Sequence, residues 1–371
     1  MTTNSSQFIS REIDLNTHIM WFEKSNKYIV VNDLLNNLIL NRIDSEKFPI
    51  NASLLKQNKI NSEKLKPISD NIKNLLKECN QDYDKINPEQ SHSIADKYIH
   101  QSKFKFNGRV VKVEYSDERL KSLIDPKFNH LKCNDEEEII YKVQEKDEKI
   151  NLFKNKKFLG SWGNKKMHEF QGKVSMELTS FFHGMSDSDW TAVFHGSTLF
   201  RGDNCLMLTG ESGSGKSSLS AILMANNFAL IADDFSPMND KGIHYNFPSA
   251  ISIKEGFYNT AKSLFKSFED LDGYYINDIK GNVKYLPDNQ NQLILKSTCN
   301  TILNVKFGTG LKNEMKLINK GKALEKILPD AWISNDIKDA KAFITWVKSS
   351  MFYNLTYNDN DEALKMINEI L

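Results

Sequence analysis

The segment Gly210-Glu-Ser-Gly-Ser-Gly-Lys216-Ser217-Ser218 fits the pattern G-x-x-x-x-G-K-[ST], a turn that wraps its backbone N–H groups around phosphate. Gly213 and Gly215 let the backbone turn those groups inward, and the helix that follows adds the positive end of its dipole. Lys216 can then bridge the outer phosphates, while the Ser217 hydroxyl is a magnesium ligand. The candidate binding residues are therefore Gly210, Glu211, Ser212, Gly213, Ser214, Gly215, Lys216, Ser217 and Ser218. Glu211 also reads as a solvated position of no chemical consequence. A second group of interest, Asp233-Asp234, ends the apolar run Phe228–Ala232. Beside a bound γ-phosphate, one carboxylate can hold magnesium and the other can take a proton from an attacking hydroxyl. A solvated turn or a helix cap is the plain alternative for such a pair. His195, followed by Gly196, is the third candidate, although a lone histidine beside an apolar run is ordinarily a satisfied core or surface residue.

These residues need elements to position them. Cys205–Thr209 reads as a buried strand leading into the loop, Ser217–Asn226 as a helix, and Phe228–Ala232 as another buried strand. A right-handed crossover would set the second strand parallel and close to the first. Its aspartates would then face the crevice at the carboxyl ends of the strands. Upstream, Arg109–Tyr115, Glu138–Val143 and Lys149–Phe153 alternate in character and predict an antiparallel sheet, followed by a phenylalanine-rich helix over Val174–Phe182. Short strands beyond Lys280 precede a closing helix from Asp361 to Leu371. At the other end, the first 20 residues are polar and read as loosely held. Lys27–Val31 is a strand run; Leu34, Leu35, Leu38 and Ile39 recur at helical spacing behind Asp33 as N-cap; a second helix starts at Ser62. The polar stretch Gln81–Gln101, with Pro88, reads as a linker. The predicted organisation is a small front domain over residues 1–85, a linker over 86–103, and an α/β (α+β) body over 104–371.

The loop, the short helix and the strand ending in Asp-Asp together resemble the HPr kinase/phosphorylase family and its related kinases. Here the family's G-x-S-G-x-G-K-S loop is GESGSGKSS, its Asp-Asp pair is in LIADD, and His195-Gly196 stands at the matching offset before the loop strand. Phe247-Pro248 through Lys254 and the C-terminal YNLTYNDNDEALKMINEIL are similar to later family segments. The resemblance covers roughly Phe104 to Leu371. It implies a P-loop kinase domain of the PEP-carboxykinase-like kind with a mixed β-sheet, and use of ATP and Mg2+. It implies Asp233 as general base, Asp234 with Ser217 as magnesium ligands, Lys216 on the phosphates, and His195 orienting the acceptor or a phosphate. Lys254 stands where bifunctional members carry arginine, and Ser252 where they carry a carboxylate, so the resemblance implies the kinase direction alone. Trp21–Asn80 resembles, more loosely, the winged-helix PqqD-like domains that dock a peptide on a strand edge.

Composition bounds the rest. Lys plus Arg number 49 and Asp plus Glu 48, a net charge of +1, which implies no broad electrostatic grip on nucleic acid. No apolar run of roughly 18 residues is present, so no membrane span is predicted. Cys79, Cys133, Cys205 and Cys299 form no C-x-x-C pair and read as reduced thiols of a cytoplasmic protein. The expected function is ATP-dependent phosphorylation of a serine or threonine hydroxyl on a peptide or small protein, in a chain whose family often forms homo-oligomers. A nucleotide-binding switch without phosphoryl transfer and a small-molecule kinase are the alternatives.

Overall fold

The computed structural model describes residues 8–44, 62–82, 97–278, 281–288 and 293–371. The described residues form a mixed α/β structure with five sheets. The chain opens with a three-stranded antiparallel sheet, Phe8–Asp14, Thr17–Phe22 and Lys27–Val31. The expectation of a loosely held start therefore fails from Phe8 onward. Ile9, Ile13, Ile19 and Trp21 pack from one face of this sheet into a core shared with Ala323, Leu324 and Phe343. Met20, Phe22 and Val31 pack from the other face against Leu38, Ile39 and Ile72, which belong to helices Asp33–Asp44 and Ser62–Cys79. A strand buried on both faces needs an unbroken apolar run, and Ile19-Met20-Trp21-Phe22 supplies one. The helix cap is Asn32, whose Oδ1 accepts from the Leu35 N–H at 2.9 Å. Asp33 is not the cap; its carboxylate pairs with His18 Nε2 at 2.6 Å.

A five-stranded sheet follows, with strands His100–Phe106, Arg109–Tyr115, Ile139–Lys146, Lys149–Lys154 and Lys157–Gly163 in sequential order. Residues 100–103, placed in the linker by composition, belong to its first strand. The sheet is not wholly antiparallel, because Arg109–Tyr115 and Ile139–Lys146 run parallel. Helix Glu118–Ile124 and the 3-10 turn Asp125–Leu131 lie between them and carry the chain back to the same edge. Alternation along a strand reveals its faces and says nothing of its direction. Helix Met167–His183 covers the sheet with Phe170, Val174, Leu178 and Phe182.

The loop strand Asn204–Thr209 lies inside a six-stranded mixed sheet. On one side it pairs parallel with Thr301–Phe307, which pairs parallel with Met351–Tyr357. On the other side stands the antiparallel strand Ser197–Arg201 and, beyond it, the aspartate strand Ala229–Ala232. The aspartate strand is thus parallel to the loop strand but one strand removed, not its neighbour. The two-residue turn Gly202-Asp203, with Gly202 at φ 63°, inserts the intervening strand as a tight hairpin. Side chains of the loop strand alternate between two cores, Leu206 and Leu208 in one and Cys205 and Met207 in the other, as the two-residue period requires.

Candidate active site

Two chain segments cross from one sheet to another at the same corner. Trp190–Phe194 belongs to a separate five-stranded sheet, and after His195-Gly196 the chain enters the six-stranded sheet as Ser197–Arg201. The aspartate strand makes the reverse passage, through Asp233-Asp234-Phe235 into Ser236–Asn239. The strands pair on both sides of the corner, Thr198 with Ala232 and Phe194 with Ser236. His195 and the aspartates are thereby held opposite each other. Asp234 turns the corner at φ 59°, a left-handed conformation that aspartate tolerates better than most residues. Gly196 is needed for proximity, because a Cβ there would lie 2.6 Å from the Leu208 carbonyl oxygen on the loop strand.

Register brings the corner level with the glycine-rich loop. Thr198 lies opposite both Met207 and Ala232, so Asp233 stands one residue from the end of its strand at the height where the loop strand is about to turn. Gly215, at φ 99°, begins helix Lys216–Ala225, and no side chain caps that terminus. The amide donors of the first turn are thus left for a ligand. Ser214 Oγ is buried with no hydrogen-bond partner in the loop, a further polar group turned inward. The buried Lys216 donates its ammonium protons to the carbonyls of Gly210 at 2.6 Å and Glu211 at 3.1 Å. Burial lowers its pKa, and the charges of Asp234, Asp233 and Asp330 oppose that shift. Glu211, Ser212 and Gly213 are exposed at the crest, while Ser217 and Ser218 are half-buried in the first helical turn.

Asp233 is 3% exposed and accepts a hydrogen bond from Ser197 Oγ. Burial first, and then the charge of Asp234, push its carboxyl up to about 7, against the pull of the Ser197 hydrogen bond and the charges of Lys127 and Lys216. Asp234 is half exposed. His195 Nδ1 lies 3.3 Å from the Asp234 carbonyl oxygen, and Nε2 lies 4.0 Å from its carboxylate. The structure thus gathers Lys216, Asp233, Asp234 and His195 at one end of the sheet, with Ser217 in the helix behind Lys216. Neither Ser217 nor Ser218 hydrogen-bonds to an aspartate among the described residues. Among the described residues no three or more His, Cys, Asp or Glu side chains cluster as a ready-made metal cage. Magnesium needs no such cage, since phosphates and water complete its shell around one or two protein oxygens. The half-exposed Asp234 carboxylate and the Ser217 hydroxyl suit that role.

Two groups at the site escaped the sequence reading. Ser197, which holds Asp233, sits directly after His195-Gly196, and only the fold turns its hydroxyl toward the carboxylate. Lys127 comes from the 3-10 turn of the first large sheet and acts electrostatically on Asp233, with no motif to announce it. Lys254 ends strand Ile251–Lys254 and lies within electrostatic reach of Lys216, while Ser252 pairs with Tyr285 of the antiparallel strand Gly281–Leu286. Burial, then Asp234, raises the Tyr285 phenol to about 12. All four cysteines are free, and the fold brings Cys299 beside Cys205, which adds to the effect of burial in raising the Cys299 thiol.

No protein-family model matches the sequence, and no curated protein matches it. Among solved structures, the Hpr(Ser) kinase/phosphatase from Coxiella burnetii shares 13% identity over 48% of this chain and 93% of its own, with a TM-score of 0.24. At that distance the likeness assigns no role to any residue here.

Proposed function

We propose that the protein is an ATP-dependent phosphotransferase that passes the γ-phosphoryl group to a serine or threonine hydroxyl of a peptide or small protein. One observation carries the reading: the buried Asp233 carboxyl, held near neutrality by burial and Asp234, stands level with a phosphate loop that presents Lys216 and an uncapped helix terminus. A nucleotide switch needs no such base. A base whose pKa lies near the working pH combines an available ionised form with useful proton affinity.

In this reading Lys216 exchanges the carbonyls of Gly210 and Glu211 for outer phosphate oxygens. Ser217 and Asp234 would hold magnesium, which would supply charge neutralisation on the phosphates. The acceptor hydroxyl oxygen bonds to the γ-phosphorus as the bond to the bridging oxygen breaks, and that electron pair leaves with ADP. The hydroxyl proton passes to Asp233, which Ser197 holds in place, and His195 steadies the acceptor beside it. Positioning and electrostatics do most of the work in such transfers. The front sheet, with helices Asp33–Asp44 and Ser62–Cys79 on one face, would serve acceptor recognition.

The test is labelling of the source cell's soluble proteins from [γ-32P]ATP, with Asp233→Asn as the paired control. A labelled acceptor that disappears with the variant, while a fluorescent ATP analogue still binds, supports the reading. Equal labelling by the variant overturns the role of Asp233, and nucleotide binding without any transfer overturns the phosphotransferase.

A further inference from the structure

We propose that Phe307 is the platform on which the nucleotide base stacks, its ring taking the face of a purine while the glycine-rich loop holds the phosphates. The inference deepens the phosphotransferase reading, on whose in-line geometry it rests, by naming the residue that meets the base.

The direction in which the nucleoside leaves the loop follows from the transfer itself. Acceptor oxygen and departing bridging oxygen stand on opposite sides of the γ-phosphorus. Asp233, which would take the acceptor's proton, follows a strand that lies two places from the loop strand in the six-stranded sheet. The nucleoside must therefore leave on the other side. There the loop strand's neighbour is the parallel strand Thr301–Phe307, roughly 4.8 Å away. Phe307 is its last residue.

The strand also sets which way the ring faces. Leu303 and Val305 are buried in the core that holds Leu219 and Leu223 of helix Lys216–Ala225. With a two-residue period, Phe307 continues that face past the end of the core, and it is 44% exposed.

A lone exposed ring is common on protein surfaces and needs no ligand to explain it. This one is fixed to the loop. Its N–H donates to the Ser214 carbonyl at 2.9 Å, and the Gly308 N–H donates to the Tyr357 carbonyl at 3.0 Å. A Cβ on Gly215, at the helix N-cap, would lie 3.0 Å from the Phe307 Cβ and 3.1 Å from the Tyr357 hydroxyl. Glycine thus lets the root of the ring sit against the loop. Behind it, the buried Tyr357 ring packs at 5.2 Å with a tilt of 56°. The ring is supported on that side and open to solvent beside the start of the helix.

An aromatic ring already held in place loses little freedom when a base settles on it. Such a stack depends on the face of the base and not on its edge groups. Lys216 and the loop amides hold the phosphates, and Phe307 holds the base. The two contributions are therefore separable.

The experiment is calorimetric titration of the full-length protein, with magnesium, by ATP and by tripolyphosphate, which has the phosphates and no base. Phe307→Ala should weaken ATP by ~5- to 100-fold and leave tripolyphosphate within twofold of wild type. Phe307→Trp should bind ATP within threefold of wild type, and the fluorescence of the added indole should be quenched by ATP and not by tripolyphosphate. Should the alanine variant melt at a lower temperature than wild type, the tryptophan readout decides. The inference is overturned if the alanine variant binds ATP within twofold of wild type, or loses ATP and tripolyphosphate equally. An indole that responds alike to both ligands overturns it too. Wild-type protein that binds neither ligand defeats the loop assignment and this inference with it. Selective loss of ATP by the alanine variant, in a protein that transfers no phosphate, defeats the phosphotransferase reading and leaves the base platform standing.

Discussion

Replacing Asp233 with asparagine should slow transfer at least ~100-fold and, at the same time, stabilise the fold in a pH-dependent way. The carboxyl rises from 3.8 to about 7 on folding, through burial and the neighbouring Asp234 charge. A group raised in this way binds its proton more tightly in the native chain than in the unfolded one. Its stabilising contribution is complete below the unfolded value and is lost as pH climbs through the folded value. A shift of about three units corresponds to roughly 4 kcal/mol lost by pH 8.5, of which about half is already gone at pH 5.5. Asparagine stays neutral, matches the shape, and can still accept from Ser197 Oγ.

The advantage of Asp233→Asn over wild type should therefore grow by about 2 kcal/mol between pH 5.5 and 8.5. For 371 residues, an unfolding entropy of ~2.1 cal/mol/K per residue turns this into about 3 °C of melting temperature. The assay is a series of thermal melts at matched ionic strength, without nucleotide or magnesium, at pH 5.5, 7.0 and 8.5. A gap that stays constant across the series, or narrows with pH, refutes the buried and elevated carboxyl. In the kinetic arm the variant should lose at least ~100-fold in transfer, and the wild-type kcat/KM should rise with pH through an acid limb near 7.

Other perturbations test the remaining supports of the site. Lys216→Ala removes the loop's charged donor and should weaken a fluorescent ATP analogue by ~10- to 100-fold, from the roughly 1.5–3 kcal/mol expected of a charged hydrogen bond; unaltered affinity contradicts the loop assignment. Gly196→Ala sets a Cβ 2.6 Å from the Leu208 carbonyl oxygen, and the backbone shift should cost about 1–3 kcal/mol, read as a lower urea midpoint. An unchanged midpoint would mean that the two strands do not approach so closely. Trp21→Ala removes a fully buried ring and its 2.7 Å hydrogen bond to Asn26, with a loss of roughly 3–5 kcal/mol expected. Since Trp21 shares a core with Phe343, one cooperative transition should shift as a whole, whereas a separate early transition would show that the front sheet melts independently.

Parts of this arrangement were open to sequence reading because they are local. The loop, its strand and its helix follow one another without interruption, so spacing and periodicity suffice. Asp233-Asp234 at a strand end was equally plain. The strand between the loop strand and the aspartate strand was harder to see, although Gly202-Asp203 in the run FRGDNC is a hairpin turn signal. A crossover argument alone gives the two strands their shared direction and omits the hairpin that separates them. The parallel pairing of Arg109–Tyr115 with Ile139–Lys146 was hidden for a different reason. Side-chain alternation is the same in either direction, and only the connection through Glu118–Leu131 decides it. Lys127 lies beyond any such reading, since a single lysine in DPKFNH has no periodic or spaced partner.

On the proposed reading, the geometry of the corner explains why the candidate reactive groups come from separate segments. A loop proposed to bind phosphate needs a strand that stops and a helix that starts, and this fixes Lys216 at the top of one sheet. A base for the acceptor must stand beside the loop yet remain dry, which a solvated strand end cannot provide. Here the aspartate strand does not simply stop; it passes into a second sheet, and its partner makes the opposite passage through His195-Gly196. The double crossing buries Asp233 against Ser197 while leaving Asp234 and His195 half exposed at the bend. One pair of adjacent aspartates is thereby split into a dry carboxyl near neutrality and a wet one available to a cation. The close approach at Gly196 keeps that division in register with the loop, so a change that widens it should disturb stability and acceptor chemistry together.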